Sequence, residues 1–162
     1  MAVVVSDTTP LHYLVMVGRE SVLQDLYGQV IIPSAVLTEL RHASAPVQIS
    51  NWAIHPPAWI TVARPSSIPA RFEGLDFGER EALALALEMH ADLVLLDDKV
   101  ARRVALREMV RVKGTLGVVA DAAHASLLDF AETVKELQHT NMHLHQDIVD
   151  EVIREYKRSQ CK

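Results

Sequence analysis

Apolar residues in this chain gather in short runs that alternate with longer amphipathic stretches. Residues 2–6 read Ala-Val-Val-Val-Ser, a β-branched run without polar alternation, which suits a strand buried on both faces of a parallel sheet. The run ends at Asp7. Thr8, Thr9 and Pro10 then supply capping chemistry and a proline for a first helical turn leading into Leu11-His12-Tyr13-Leu14-Val15. The pattern repeats at Gln29-Val30-Ile31-Ile32, which stops at Pro33-Ser34. Beyond it, Ala35, Val36 and Leu40 mark one side of a helix that carries Glu39. Residues 43–74 hold Pro46, Pro56, Pro57, Pro65 and Pro69 around a short strand, Trp59-Ile60-Thr61-Val62, and read as the irregular part of the molecule.

From Asp76 the chain turns helical through Gly78-Glu79-Arg80-Glu81 and an Ala/Leu-rich stretch to Glu88, made of strong helix formers. Leu93-Val94-Leu95-Leu96 is another buried strand, and it ends in Asp97-Asp98. A basic helix from about Lys99 to Met109, a short strand at Val110-Arg111-Val112, a turn at Gly114-Thr115-Leu116-Gly117 and further helices complete the pattern. Strands alternating with helices at this spacing predict one α/β domain over residues 1–162, built around a mostly parallel sheet, with a helical extension from about residue 118.

At 162 residues and 49% apolar composition, such a domain buries roughly two-thirds of its unfolded surface without staples. The single cysteine, Cys161, excludes an intrachain disulfide and favours a reducing, cytoplasmic setting. The opening residues carry no basic leader, and no segment approaches the ~20 apolar residues of a membrane span. A formal net charge of −5 argues against a protein that coats nucleic acid generally. It leaves room for an acidic site with locally concentrated basic residues.

Such a site is visible in the acids. Asp7 follows the first strand, Glu39 lies on the helix after the second, and Asp97-Asp98 follow the Leu93–Leu96 strand. In open α/β sheets ligands bind beyond the carboxyl ends of strands, so these acids can share one cleft. Glu79 is the natural fourth member and Glu81 its rival. Residues two apart on a helix point to nearly opposite sides, so one of the pair is expected outside; Glu79, on the side of Ala82, Leu83 and Ala86, is favoured as the inward one. Crowded carboxylates stay ionised only with positive charge among them, and oxygen-only ligands suit Mg²⁺ or Mn²⁺, which can promote water attack on a phosphodiester. Lys99, Arg102, Arg103, Arg107, Arg111 and Lys113, six of the sixteen basic residues, follow Asp98 closely and can hold phosphates.

At these residues the sequence resembles the PIN-domain superfamily, in its prokaryotic branch of predicted nucleic-acid-binding proteins. Val5-Ser6-Asp7-Thr8-Thr9-Pro10-Leu11 looks like the branch's opening, and Ile32-Pro33-Ser34-Ala35-Val36-Leu37-Thr38-Glu39-Leu40 is similar to its second acid motif. Leu75-Asp76-Phe77-Gly78-Glu79-Arg80-Glu81-Ala82 and Leu95-Leu96-Asp97-Asp98-Lys99-Val100-Ala101-Arg102 resemble the third and fourth, and Gly114-Thr115-Leu116-Gly117 matches a typical turn. The resemblance implies a PIN-like three-layer α/β/α sandwich and a metal-dependent single-strand ribonuclease, commonly a VapC-like toxin that a small antitoxin protein neutralises, and often a homodimer. By carry-over, Asp7, Glu39, Glu79 and Asp98 are the catalytic metal ligands, with Asp97 and Glu81 as neighbours. Ser6 or Thr8 would hydrogen-bond those ligands, and Lys99, Arg102, Arg103 and Arg107 would bind RNA. The fourth motif departs from the pattern, because Leu96 stands where many relatives place Ser or Thr before the acid.

Other readings compete. A degenerate PIN fold would bind RNA or an antitoxin without cutting. A phosphatase with Asp7 as nucleophile lacks its second acid, since Thr9 stands two residues on, and no Gly-rich phosphate loop occurs. Asp7 and Asp97-Asp98 can each serve simply as helix caps. His143-Leu144-His145 near Asp147 lacks a second pair at zinc spacing and reads as surface. Trp52 and Trp59 read as core or interface packing before base-stacking platforms, and Leu127, Leu128, Phe130, Val134 and Leu137 as helix core, or as an interface if exposed.

Overall fold

Strand β1 (Val4–Ser6) is the middle of a five-stranded sheet in a computed structural model that describes residues 2–161. The order is β3 (Ile60–Ala63), β2 (Val30–Pro33), β1, β4 (Leu93–Leu95) and β5 (Val112–Lys113), and all pairings are parallel. Val5 stands opposite Ile31 on one side and Val94 on the other. Val4, Val5, Val94 and Leu95 are almost completely buried, as their unbroken apolar runs require of a sheet covered on both faces. On the edge strand β3, Thr61 and Val62 are exposed. The fold class is α/β, as the alternating pattern predicts.

Two compact units make up the chain, Met1–Thr115 and Leu116–Lys162. In the first, α1 (Thr8–Met16) follows β1, α3 (Ser34–Leu40) follows β2, α5 (Phe77–Glu88) precedes β4, and α6 (Lys99–Arg107) joins β4 to β5. Helix α5 packs across β1, β2 and β4 and against α3. That position buries Gly78, Glu79 and every residue from Glu81 to Ala86, which is why the helix is written in alanine and leucine. Asp76 and Glu79 start it with a reciprocal capping box: the Glu79 amide donates to Asp76 at 2.8 Å and the Asp76 amide to Glu79 at 3.2 Å. Helix α6 buries only Ala101 and Ala105 and turns its basic side chains to solvent. In the second unit, α8 (Phe130–Gln138) packs on α9 (Gln146–Gln160), with the Phe130 and Tyr156 rings stacked at 4.4 Å. Phe130, Val134 and Leu137 are buried there, whereas Leu127 and Leu128, also expected in helix core, lie in the bend before α8, Leu127 exposed and Leu128 half-buried.

Three segments differ from the sequence reading. Helix α2 (Val22–Tyr27) lies where no element was expected, and α4 (Val47–Ile54) lies inside the proline-rich stretch. Both are short and turn few residues inward, so their periodicity is faint. The Gly114–Gly117 segment is a turn only at its start, because Thr115 begins α7 (Thr115–His124). The tryptophans pack as expected, their rings 6.3 Å apart and Trp59 buried.

Candidate active site

The strand order places β1 and β4 side by side at the point where connections leave the sheet in opposite directions, and in open α/β sheets ligands bind beyond the carboxyl ends of strands at such a point. Asp7 follows β1 there, held by its main-chain N–H, which donates to Leu95 O at 3.0 Å. It occupies the N-cap position of α1, yet its side chain makes no capping hydrogen bond into that helix. Asp7 as a whole is only 5% exposed. Burial, together with the negative charges of Asp76, Glu79 and Glu39, pushes its pKa up to about 8, against the neighbouring Thr8 amide, which favours the charged form.

Glu39 reaches the same place from α3. The two carboxylates meet over Gly78, the second residue of α5: a Cβ there would stand 2.7 Å from Glu39 Oε1 and 3.2 Å from Asp7 Oδ1. Thr8 donates its hydroxyl to Glu39 Oε2 at 2.7 Å, so one of the two hydroxyls named from sequence does orient an acid. Ser6 does not; buried, it donates to the main-chain O of Asp7 at 2.9 Å instead. Glu79 is 7% exposed and raised to about 7, chiefly by burial and by the charge of Asp76, with Asp98 adding to it. The structure therefore groups Asp7, Glu39, Glu79 and Asp76 electrostatically, and Asp98 with Glu79.

The expectation that one of Glu79 and Glu81 lies outside is wrong. Glu81 is 5% exposed, and it accepts from the Ala35 N–H and the Ser34 hydroxyl, both at 3.1 Å. Opposite sides of a helix are both interior when the helix itself is enclosed, so Glu81 braces the start of α3 while Glu79 faces the acids. Asp97 and Asp98 also divide. Asp98 caps α6 through the Ala101 amide at 2.9 Å, whereas Asp97 accepts from Thr115 twice, from N–H at 2.8 Å and from Oγ1 at 2.5 Å. The hydroxyl missing at Leu96 is thus supplied beside Asp97 by Thr115, far along the chain.

A family model described as DUF3368: PIN domain matches residues 3–158. The chain belongs to the PIN-domain family. A PilT N-terminus domain protein from the hyperthermophilic archaeon Sulfolobus solfataricus P2 is similar to it in structure, at 15% identity and TM-score 0.49, over 90% of this chain and 100% of that one. A search of curated proteins finds no match.

PIN domains are generally nucleases and typically use divalent metals. The side chains of this PIN domain fit such an ion: the donors are hard carboxylate oxygens, and the space over Gly78 is a cradle that one methyl group would fill. Among the described residues, no three His, Cys, Asp or Glu side chains are already placed to ligate one ion. Mg²⁺ asks less, needing one or two carboxylates and keeping several waters. Lys99, Arg102, Arg103 and Arg107 are exposed on α6, which begins at Asp98. His143 and His145 are exposed and belong to no metal-binding group among the described residues. No helix of the described chain is long and apolar enough to cross a membrane.

Sequence reasoning missed Asp76 as a member of the acid group. Its signal was available, since an Asp three residues before a Glu at a helix start is a capping box. That box places a fourth negative charge beside Asp7 and Glu79.

Proposed function

We propose that this PIN domain is a Mg²⁺- or Mn²⁺-dependent endoribonuclease that hydrolyses single-stranded RNA, and the VapC-like toxin of a toxin–antitoxin pair. The observation that carries the reading is the meeting of Asp7 and Glu39 over Gly78, beside a buried Glu79. Asp7 and Glu39 are the residues that hold the cation, with Glu79 and Asp98 as further oxygen donors. Bound there, the ion supplies Lewis acidity toward a phosphodiester and favours ionised water. Thr8 fixes the Glu39 carboxylate. Glu79 accepts from the Asp76 amide through Oε2, which fixes its carboxylate among the other acids. Lys99, Arg102, Arg103 and Arg107 draw the RNA backbone toward these acids. A small antitoxin protein and a second copy of the chain are the expected partners.

Short single-stranded RNA incubated with the protein should be cut with Mg²⁺ or Mn²⁺ and spared in EDTA. Asp7→Asn and Glu39→Gln should each lower the rate by on the order of 100-fold or more. Growth arrest on expression, relieved by Asp7→Ala, tests the toxin role. Because no three ligating side chains are gathered among the described residues, a non-cutting binding module is the second reading. RNA bound equally with and without cation, and never cleaved, would establish it.

A further inference from the structure

We propose that the cavity next to the acid group is a nucleotide subsite, in which Phe77 stacks one base of a single-stranded RNA and Arg64 contacts its phosphate. The inference rests on the nuclease reading and adds where the strand lies. The open cavity has a volume of about 470 Å³ and is lined by Ser34, Thr38, Arg64 and Phe77 and by two carboxylates, Glu39 and Glu81, within the roughly 300–1,000 Å³ range of small-ligand sites. Glu39 is a wall of this cavity and also half of the pair over Gly78, so the cavity opens directly beside the acids.

Phe77 is the reason to assign a base. Of the three phenylalanines, Phe72 and Phe130 are buried, whereas Phe77 is 58% exposed. It is the first residue of α5, immediately before Gly78, so its position is set by the same helix start that aligns the acids. Arg64 follows β3, is exposed, and donates through Nε to Ser34 Oγ at 3.4 Å. Among the described residues no carboxylate pairs with its guanidinium. An aromatic face and a cation lining one groove are what unpaired RNA requires: bases stack on rings whatever their identity, and phosphates need positive charge. The Ser34 and Thr38 hydroxyls line the same wall, their protons given to Glu81 Oε1 and to the Ser34 carbonyl. A purely apolar protein segment would leave the charge of Arg64 unanswered, whereas a nucleotide phosphate pairs with it; the two carboxylates of the lining are engaged inside the protein, Glu39 by the Thr8 hydroxyl and Glu81 by the Ser34 hydroxyl and the Ala35 amide.

The test uses the full chain and a short fluorescent single-stranded RNA, titrated in EDTA so that binding is read without cleavage, and then in Mn²⁺ for KM and kcat. Phe77→Ala should weaken binding roughly 5- to 100-fold and raise KM more than it lowers kcat, whereas Phe77→Tyr should bind like wild type. Arg64→Ala should weaken binding and reduce the salt slope of log Kd by about one. Thermal melts of each variant show that the fold is intact. Equal RNA affinity in wild type, Phe77→Ala and Arg64→Ala, with cleavage that still needs Asp7, overturns the subsite and leaves the nuclease standing. Phe77-dependent binding without cleavage under either cation does the reverse.

Discussion

Replacing Gly78 by alanine separates the geometry of the acids from the stability of the fold. The added Cβ would lie 2.7 Å from Glu39 Oε1, about 0.7 Å inside the 3.4 Å at which ordinary van der Waals contact begins, and 3.2 Å from Asp7 Oδ1. Glu39 is exposed at the end of a flexible side chain and can swing away, at the cost of its hydrogen bond from Thr8, worth about 1 kcal/mol net. Alanine in place of glycine in a helix returns about 1 kcal/mol. The two nearly cancel, so the melting temperature should stay close to that of wild type. Activity should not. A displacement of this size at reacting groups costs on the order of 100-fold in rate. Cleavage of single-stranded RNA in Mn²⁺, measured beside a thermal melt, gives both numbers. Gly74→Ala is the control, since a Cβ at Gly74 meets nothing within 4 Å. Wild-type cleavage by Gly78→Ala would refute the claim that the two carboxylates work together over this residue.

Two further outcomes follow from the buried acids. Asp7 has a folded pKa of about 8 against 3.8 in water. A carboxyl raised in this way keeps its proton in the fold, so its stabilising contribution is full below pH 3.8 and is lost as pH rises toward 8. In EDTA, Asp7→Asn should therefore be the more stable protein at pH 8, by on the order of 2–3 kcal/mol if half the shift persists after relaxation, and the gap should close on acidification or on adding Mg²⁺. Denaturant titrations across this range check it, and a gap independent of pH would refute the burial argument. Glu81→Ala should cost about 1–3 kcal/mol, because it strips the Ala35 amide of its acceptor, and Glu81→Gln should recover much of the loss. An unchanged melt for Glu81→Ala would show that this brace carries no weight.

Which parts of the molecule were readable in advance follows from how local their causes are. The strands at Val4–Ser6 and Leu93–Leu95 announce themselves because a strand covered on both faces needs an unbroken apolar run. Acids that follow such runs were legible as neighbours, and Asp7, Glu39 and Glu79 do gather. The state of Glu81 was not, since helical periodicity says which side a residue takes and nothing about whether that side faces water or α3. The same holds for Thr115, whose hydrogen bonds to Asp97 join residues 18 positions apart. The helix at Val47–Ile54 was hidden because it buries only Ile49 and Ala53 among prolines and polar residues. Its existence depends on packing against α1 and α3, which no local pattern records.

The central strand has one neighbour close by in sequence and one far away. Val3 hydrogen-bonds to Asp92 across 89 positions, and β1 pairs with β4 over its whole length. A ribosome that has released only the first ninety residues has made Asp7, Glu39 and Glu79 but not the strand that closes the other flank of β1. The central strand is therefore completed by a long-range pairing, the kind of contact whose chain-closure cost slows folding relative to local pairings.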